Sequence, residues 1–532
     1  MIILAGLVSG CAQVAELSGG PKDEAAPVLV RSVPPQNATN FTGQRIVLEF
    51  DERIQLDRVR DRLLVSPPLE KAPDVRLLNA RSVAIDLAMP LMQDRTYTFS
   101  IGEAIKDLTE GNQALGLALV FSTGAELDSL SITGVVRDAY TGLPRKDMLV
   151  MAYPIDSVAA FTQGRPAYAT RSAADGSYTL MHLRAADYLV RALHDLNANY
   201  RYDLPSEALA FHHEAIPATM LDSSQRAVDL YMFQEEAAEQ RIIDQRVKAD
   251  GQWTIVLAQE ARELNVQDVS RRGGTLRWDM FWNARRDSVE LWPSDTTMLR
   301  AGSYRITVDG NILDTLSYRP LLRMPFYTSL ALVGTEEHPG ITLRASRPVR
   351  STDSTRFFLR IDTLERSVRA DIDASDPRLI HLGIALPEAS QAVLTVLPKG
   401  VRDLFGGSND TVRIALQRSG AKDLGTVRIR MAADSSVEGM RILQLLDGSE
   451  KVIREARVDG ASREVAWERI PPGSFSLRVI ADLNANGRWD PGMLQEGKQP
   501  ERVYTYDKPI QVRASWDLRV DVPPFPKMAG RP

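Results

Sequence analysis

Apolar residues in this chain recur mostly in short runs with a period of two. Arg45 to Phe50 reads RIVLEF, Ser82 to Leu87 reads SVAIDL and Arg95 to Ser100 reads RTYTFS, each alternating aliphatic or aromatic side chains with small or polar ones. Alternation of this kind puts one face of an extended segment against a core and the other in water. The runs are separated by Gly, Pro, Asn and Asp, the residues that turn a chain. Arg53 to Leu64 and Glu235 to Val247 are the better helix candidates, both short. The predicted fold class is therefore all-β, with tandem β-sandwich domains in an elongated array.

Internal repeats divide the chain. IVLEFDERI begins at Ile46, IVLAQEAREL at Ile255 and ITLRASRPV at Ile341, each a strand that ends at a charged corner. Two segment ends also match: Ile105-Lys106-Asp107-Leu108 before Gly111-Asn112, and Val401-Arg402-Asp403-Leu404 before Gly406-Gly407. These mark three related sandwiches at 25–125, 236–325 and 326–419, the middle one degenerate. A second repeat alternates with the first. Leu183, Tyr188 and Asp195 recur in order as Ile470, Phe475 and Asp482, and each Asp opens a near-identical nonapeptide, DLNANYRYD or DLNANGRWD. The domains at 126–235 and 420–525 are read as duplicates, with a short tail at 526–532.

Composition sets limits on this plan. At about 100–150 residues per domain, 532 residues make four or five domains. A net charge of −5 leaves no basic excess for nucleic acid. The single cysteine, Cys11, rules out a disulfide within the chain and any cysteine-based metal cluster. Met1 to Gly10 is an uncharged apolar stretch, too short for the ~20 residues that span a bilayer. It looks like the end of a secretory signal, and Val8-Ser9-Gly10-Cys11 resembles the bacterial lipobox, where the chain is cut before a cysteine that carries lipid. The other reading is a buried cysteine on a short apolar strand. The expectation is a signal peptide at 1–10, lipidation at Cys11 and a flexible tether at 11–24.

The first domain resembles the bacterial Ig-like domain found in lipoproteins of the Bacteroidetes. The resemblance rests on Ser32-Val33-Pro34-Pro35-Gln36-Asn37, Leu48-Glu49-Phe50-Asp51-Glu52, Tyr97-Thr98-Phe99 and Val120-Phe121-Ser122-Thr123-Gly124. The two duplicates are similar to the carboxypeptidase-regulatory or transthyretin-like sandwich, and Asp482 to Asp490 with Gln499-Pro500-Glu501 resembles the end of the same lipoprotein family. The resemblance implies an outer-membrane lipoprotein, on the cell-surface or periplasmic face. It further implies a protein partner in an outer-membrane complex for barrel assembly or secretion.

The strongest chemical signal is the pair of Asp/Asn loops. Asp482, Asn484, Asn486 and Asp490 stand at positions 1, 3, 5 and 9 of an EF-hand-like spacing, with Gly487 at position 6. Oxygens at alternate positions converge on one point, which suits Ca²⁺. Asp195, Asn197, Asn199 and Asp203 repeat the pattern with Tyr200 in place of the glycine. Position 12 is Met493 or Ser206, so a bidentate ligand is missing unless Glu496 or Glu207 reaches in. The competing reading is an Asx-rich turn joining two strands. Asp-Ser/Thr-apolar triplets such as Asp128-Ser129-Leu130 and Asp410-Thr411-Val412 resemble an O-glycosylation signal, or equally a turn entering a strand.

No G-x-S-x-G, H-E-x-x-H, P-loop or G-x-G-x-x-G pattern occurs. Of six histidines only His212 and His213 are adjacent, and neighbours on a strand point to opposite faces. The sequence thus points to a non-enzymatic scaffold or accessory subunit. The alternative is a glycan-binding surface lipoprotein using Trp278, Trp282 and Trp292, whose aromatics can equally be core.

Overall fold

The computed structural model describes residues 24–155, 160–221, 227–248, 250–269, 277–283, 285–294, 301–320, 329–333, 340–388, 390–432, 439–459 and 464–525. The chain is a series of β-sandwiches in two compact units. Over the described residues the first runs to Asp138 and resumes over Leu143–Met232; the second comprises Ala139–Gly142 and the chain from Phe233 to Phe525.

In the first unit, one apolar core gathers Ile46, Leu48 and Phe50 against Tyr97, Phe99 and Phe121. The alternation read from RIVLEF is the burial pattern observed: Ile46, Leu48 and Phe50 are buried while Arg45 and Glu49 face water. Full burial of one such side chain is worth roughly 1.5–3 kcal/mol, so a handful of matched positions fixes the register. One sheet orders Leu29–Val33, Arg45–Phe50, Ser82–Asp86 and Asp74–Asn79; the facing sheet orders Leu64–Ser66, Thr96–Ser100 and Ala118–Ser122. Phe99 and Phe121 stack between them with ring centroids 5.7 Å apart.

The repeated motif holds the same place in the second unit. Trp253–Leu257 is second in the order Ile242–Val247, Trp253–Leu257, Ser288–Pro293, Trp278–Trp282. Gly340–Ala345 is second in the order Leu330–Val333, Gly340–Ala345, Leu379–Ala385, Ala370–Ile372. The matching segment ends also coincide: Ile105–Asp107 pairs with Ile54–Leu56, and Val401–Asp403 pairs with Val349–Thr352.

The two duplicates share one strand plan. Leu130–Asp138 runs antiparallel to Ser177–Leu183 and parallel to Leu230–Met232. Gly425–Met431 runs antiparallel to Glu464–Ile470 and parallel to Asp517–Val522. Gly134 explains itself here, since a Cβ at that position would lie 1.9 Å from the Val228 carbonyl oxygen.

Neither segment expected to be helical is a helix over its length. Ile242–Val247 is a strand, paired with Trp253–Leu257. Its glutamate, alanine and glutamine flank favours helix, but Ile242 and Val247 find a core to pack on, and tertiary pairing overrides propensity. Between Arg53 and Leu64 the helix is a single turn, Val59–Arg62, preceded by the strand Ile54–Leu56. Among the described residues no helix is long and apolar enough to cross a membrane.

Candidate functional site

The two Asp/Asn loops each follow a core strand, Asp187–Leu193 in the first unit and Gly473–Asp482 in the second. In each loop the first carboxylate closes the turn on itself. Asp195 accepts the backbone N–H of Asn199 at 3.2 Å and of Tyr200 at 2.9 Å. Asp482 accepts those of Asn486 at 3.0 Å and Gly487 at 2.8 Å. The last carboxylate collects the asparagine amides: Asn197 and Asn199 donate to Asp203, and Asn484 and Asn486 donate to Asp490. The backbone turns left-handed at matching positions, Ala198 and Tyr200 in one loop and Ala485 and Gly487 in the other. Tyr200 thus adopts a conformation that glycine takes without strain.

A buried glutamate completes each loop. Glu207 is wholly buried and accepts the N–H groups of Leu196, Asp203 and Leu204. Glu501 is 4% exposed and accepts those of Leu483 at 2.8 Å and Asp490 at 3.0 Å. Glu207 and Glu496 are the residues the sequence offers as a further calcium ligand; Glu207 accepts backbone N–H groups in the first loop, and Glu501 holds the corresponding place in the second. A turn bridged between Met493 and Lys498 lengthens the second loop and breaks the offset. A proline lies close before each glutamate, in Pro205-Ser206-Glu207 and in Pro500-Glu501. Burial pushes the Glu501 carboxyl up to about 6, against the two N–H donors and with the Asp490 and Asp482 charges adding to the rise.

As arranged, the polar side chains of both loops bond one another and the loop backbone, the pattern of an Asx-rich turn. The oxygens of Asp195 and Asp482 are taken by backbone N–H groups, and the asparagines turn donors, not acceptors, toward the last aspartate. Among the described residues no group of three or more His, Cys, Asp or Glu side chains is arranged to hold a metal.

The tryptophans do not form an exposed platform. Trp278 and Trp282 pair across the sheet with Pro293 and Val289, and so share the core-facing side. Trp278 packs on Trp253, Tyr304 and Tyr318 with centroids 5.1–5.6 Å away. Trp292 lies on the opposite side, yet is only 1% exposed, because Phe405 of the next sandwich covers it at 6.1 Å. Phe405 is held there by a buried turn. Asp403 is fully buried and accepts the N–H groups of Phe405 and Gly407 and a guanidinium N–H of Arg347, itself buried. On the same sheet face, Arg378 stacks 4.2 Å over Phe281 and pairs with Glu290. The Trp292 reading as a glycan contact is therefore corrected: packing between sandwiches removes it from solvent.

Ser129 and Thr411 of the Asp-Ser/Thr-apolar triplets are exposed. Cys11, the signal segment and most of the tether lie outside the described residues.

The strand plans and the structural turns define a protein of tandem β-sandwiches. Residues 23–123 match the family described as bacterial Ig-like domain. No curated protein matches the chain. Among solved structures, the chain is similar to BcpA, the major pilin subunit of Bacillus cereus, at 10% identity over 74% of this chain and 98% of that one, with a TM-score of 0.15. It is also similar to domains 1-6 of the surface layer protein SbsC, at 10% identity over 92% of this chain and 67% of that one, with a TM-score of 0.14.

Proposed function

We propose that this chain is a non-enzymatic outer-membrane lipoprotein, tethered through lipid on Cys11, that serves as a scaffold or accessory interaction subunit of an outer-membrane complex. The observation that carries the reading is how the conspicuous polar residues are used. Asp107, Asp403, Glu207 and Glu501, all deeply buried acids of the repeats, are each committed to backbone N–H groups that hold a turn. They build rigid loops at the ends of sandwiches, and such loops present binding surfaces. The bacterial Ig-like match at 23–123 supports the same reading, because Ig-like sandwiches carry function on loops and edges.

Two measurements test it. Mass spectrometry of the mature protein is expected to find a lipid-modified cysteine at residue 11, lost in C11S; an unmodified mature N-terminus in a membrane-free fraction would remove the anchor. Affinity purification at native expression from gently solubilised membranes is expected to return a fixed stoichiometric partner. Recovery of this protein alone would remove the scaffold role.

A further inference from the structure

A cleft of about 630 Å³ opens within the first unit, between its two sandwiches. Its lining includes buried residues poor in backbone donors, Pro67, Pro68 and Pro166, together with the buried Tyr97, Tyr168 and Tyr188. The tyrosine hydroxyls are already engaged. Tyr97 accepts from Met92 N–H at 3.1 Å, Tyr168 accepts from Arg184 N–H at 3.4 Å, and Tyr188 donates to the Arg184 carbonyl at 3.1 Å. What remains for a guest is ring and pyrrolidine surface, with Tyr168 and Tyr188 set edge to face at 5.7 Å. Met89 and Met92, 40% and 51% exposed, stand at the rim as adaptable apolar contacts.

The charge around this apolar floor is one-sided. The lining holds Lys71, Arg95, Arg165 and Arg184 against a single acid, Glu70, in a chain whose net charge is −5. Arg184 has Asp128 at 3.6 Å, whereas Arg165 reaches the Leu69 carbonyl across the cleft. The walls are pinned: Asp128 N–H donates to Thr96 Oγ1 at 2.8 Å and Ala169 N–H to Ser66 Oγ at 3.2 Å. The latter bond ties Leu64–Ser66 to Tyr168–Arg171, each the edge strand of its sheet. Those edges face one another, so an extended peptide finds no free ladder to join there.

We propose that this cleft binds a small anionic amphiphile, with its alkyl body on the proline and tyrosine floor and its carboxylate or phosphate at Arg95 and Arg165. The volume lies within the range of roughly 300–1,000 Å³ typical of small-molecule sites, and an apolar floor with few polar anchors is their usual chemistry. The cationic rim sets the sign of the head group. This inference stands apart from the scaffold reading and does not depend on it.

Isothermal titration of the full chain tests it, with sodium dodecanoate, dodecyl phosphate, dodecyltrimethylammonium and an acidic, leucine-rich hexapeptide as probes, the amphiphiles below their micelle concentrations. One equivalent of either anionic amphiphile is expected to bind, and the cationic one at least ~10-fold more weakly. The R95E/R165E double variant is expected to reverse that preference. A186W fills the cleft from an exposed position, so it is expected to abolish binding of both with an unchanged unfolding midpoint. Equal affinity for the two head-group signs, binding unaffected by A186W, or binding of the hexapeptide without dodecanoate would each overturn the proposal.

Discussion

Asp107 and Asp403 occupy the same point of two sandwiches and solve the same problem. Each lies at the end of a short strand and must be buried for the following turn to pack. Asp107 accepts four backbone N–H groups, from Thr109, Glu110, Gly111 and Asn112. Asp403 accepts two and adds the Arg347 guanidinium. Removing it strands a buried cation and two donors, so Asp403→Ala is expected to cost roughly 3–5 kcal/mol, read as a shift of the urea midpoint. Titration separates Asp107 from Glu501 by sign. Burial raises the Asp107 carboxyl, but its N–H donors lower it more, leaving it below the ordinary range. Its stabilising effect is present above about pH 4 and lost as pH falls through the folded value. Glu501 goes the other way: raised to about 6, it contributes stability that is complete below its ordinary 4.5 and lost as pH rises through 6. With chelator present, amide exchange over 483–490, corrected for intrinsic rate, is expected to slow between pH 7.5 and 5. E501Q is expected to flatten that response.

At the scale of elements, the Asp/Asn loops turn a shared nonapeptide into a shared hydrogen-bond plan. Glu207→Ala would orphan three partly buried N–H groups. A loss of about 2 kcal/mol or more is expected, with exchange protection falling first over 195–204. Calcium added to the chelated protein is expected to leave the unfolding midpoint where it was; a rise of several degrees at millimolar calcium would show that the carboxylates prefer the ion to their N–H partners. The loops were legible in the sequence because their polar residues are contiguous. Glu501 was not, because the Met493–Lys498 turn intervenes. The strand at Arg45–Phe50 was legible from its alternation, whereas Ile242–Val247 was misread because its strand state is set by a partner across the sheet. The position of Trp292 could not be read at all: only the turn at Asp403, more than a hundred residues later, brings Phe405 over it.

At the scale of the whole molecule, the repeats distribute stability among separate cores, and no single one holds the chain together. The first unit has its apolar clusters around Phe121 and around Tyr178; the second has them around Trp253, Phe357 and Leu443. A chain divided in this way need not unfold in one step, since cooperativity follows contiguous packing. Phe121 is fully buried, stacked between Phe99 and Tyr97 and met by Phe41 at 4.8 Å. Phe121→Ala deletes an aromatic ring from the first unit alone and is expected to cost about 3–5 kcal/mol there. Trp253, fully buried among Trp278, Tyr304 and Tyr318, offers the same deletion in the second unit. Differential scanning calorimetry of the full chain is expected to resolve at least two transitions. Phe121→Ala is expected to lower one and leave the other in place, with Trp253→Ala doing the reverse. If either substitution moves every transition together, the units are energetically one body, and the repeats mark descent without marking independent folding.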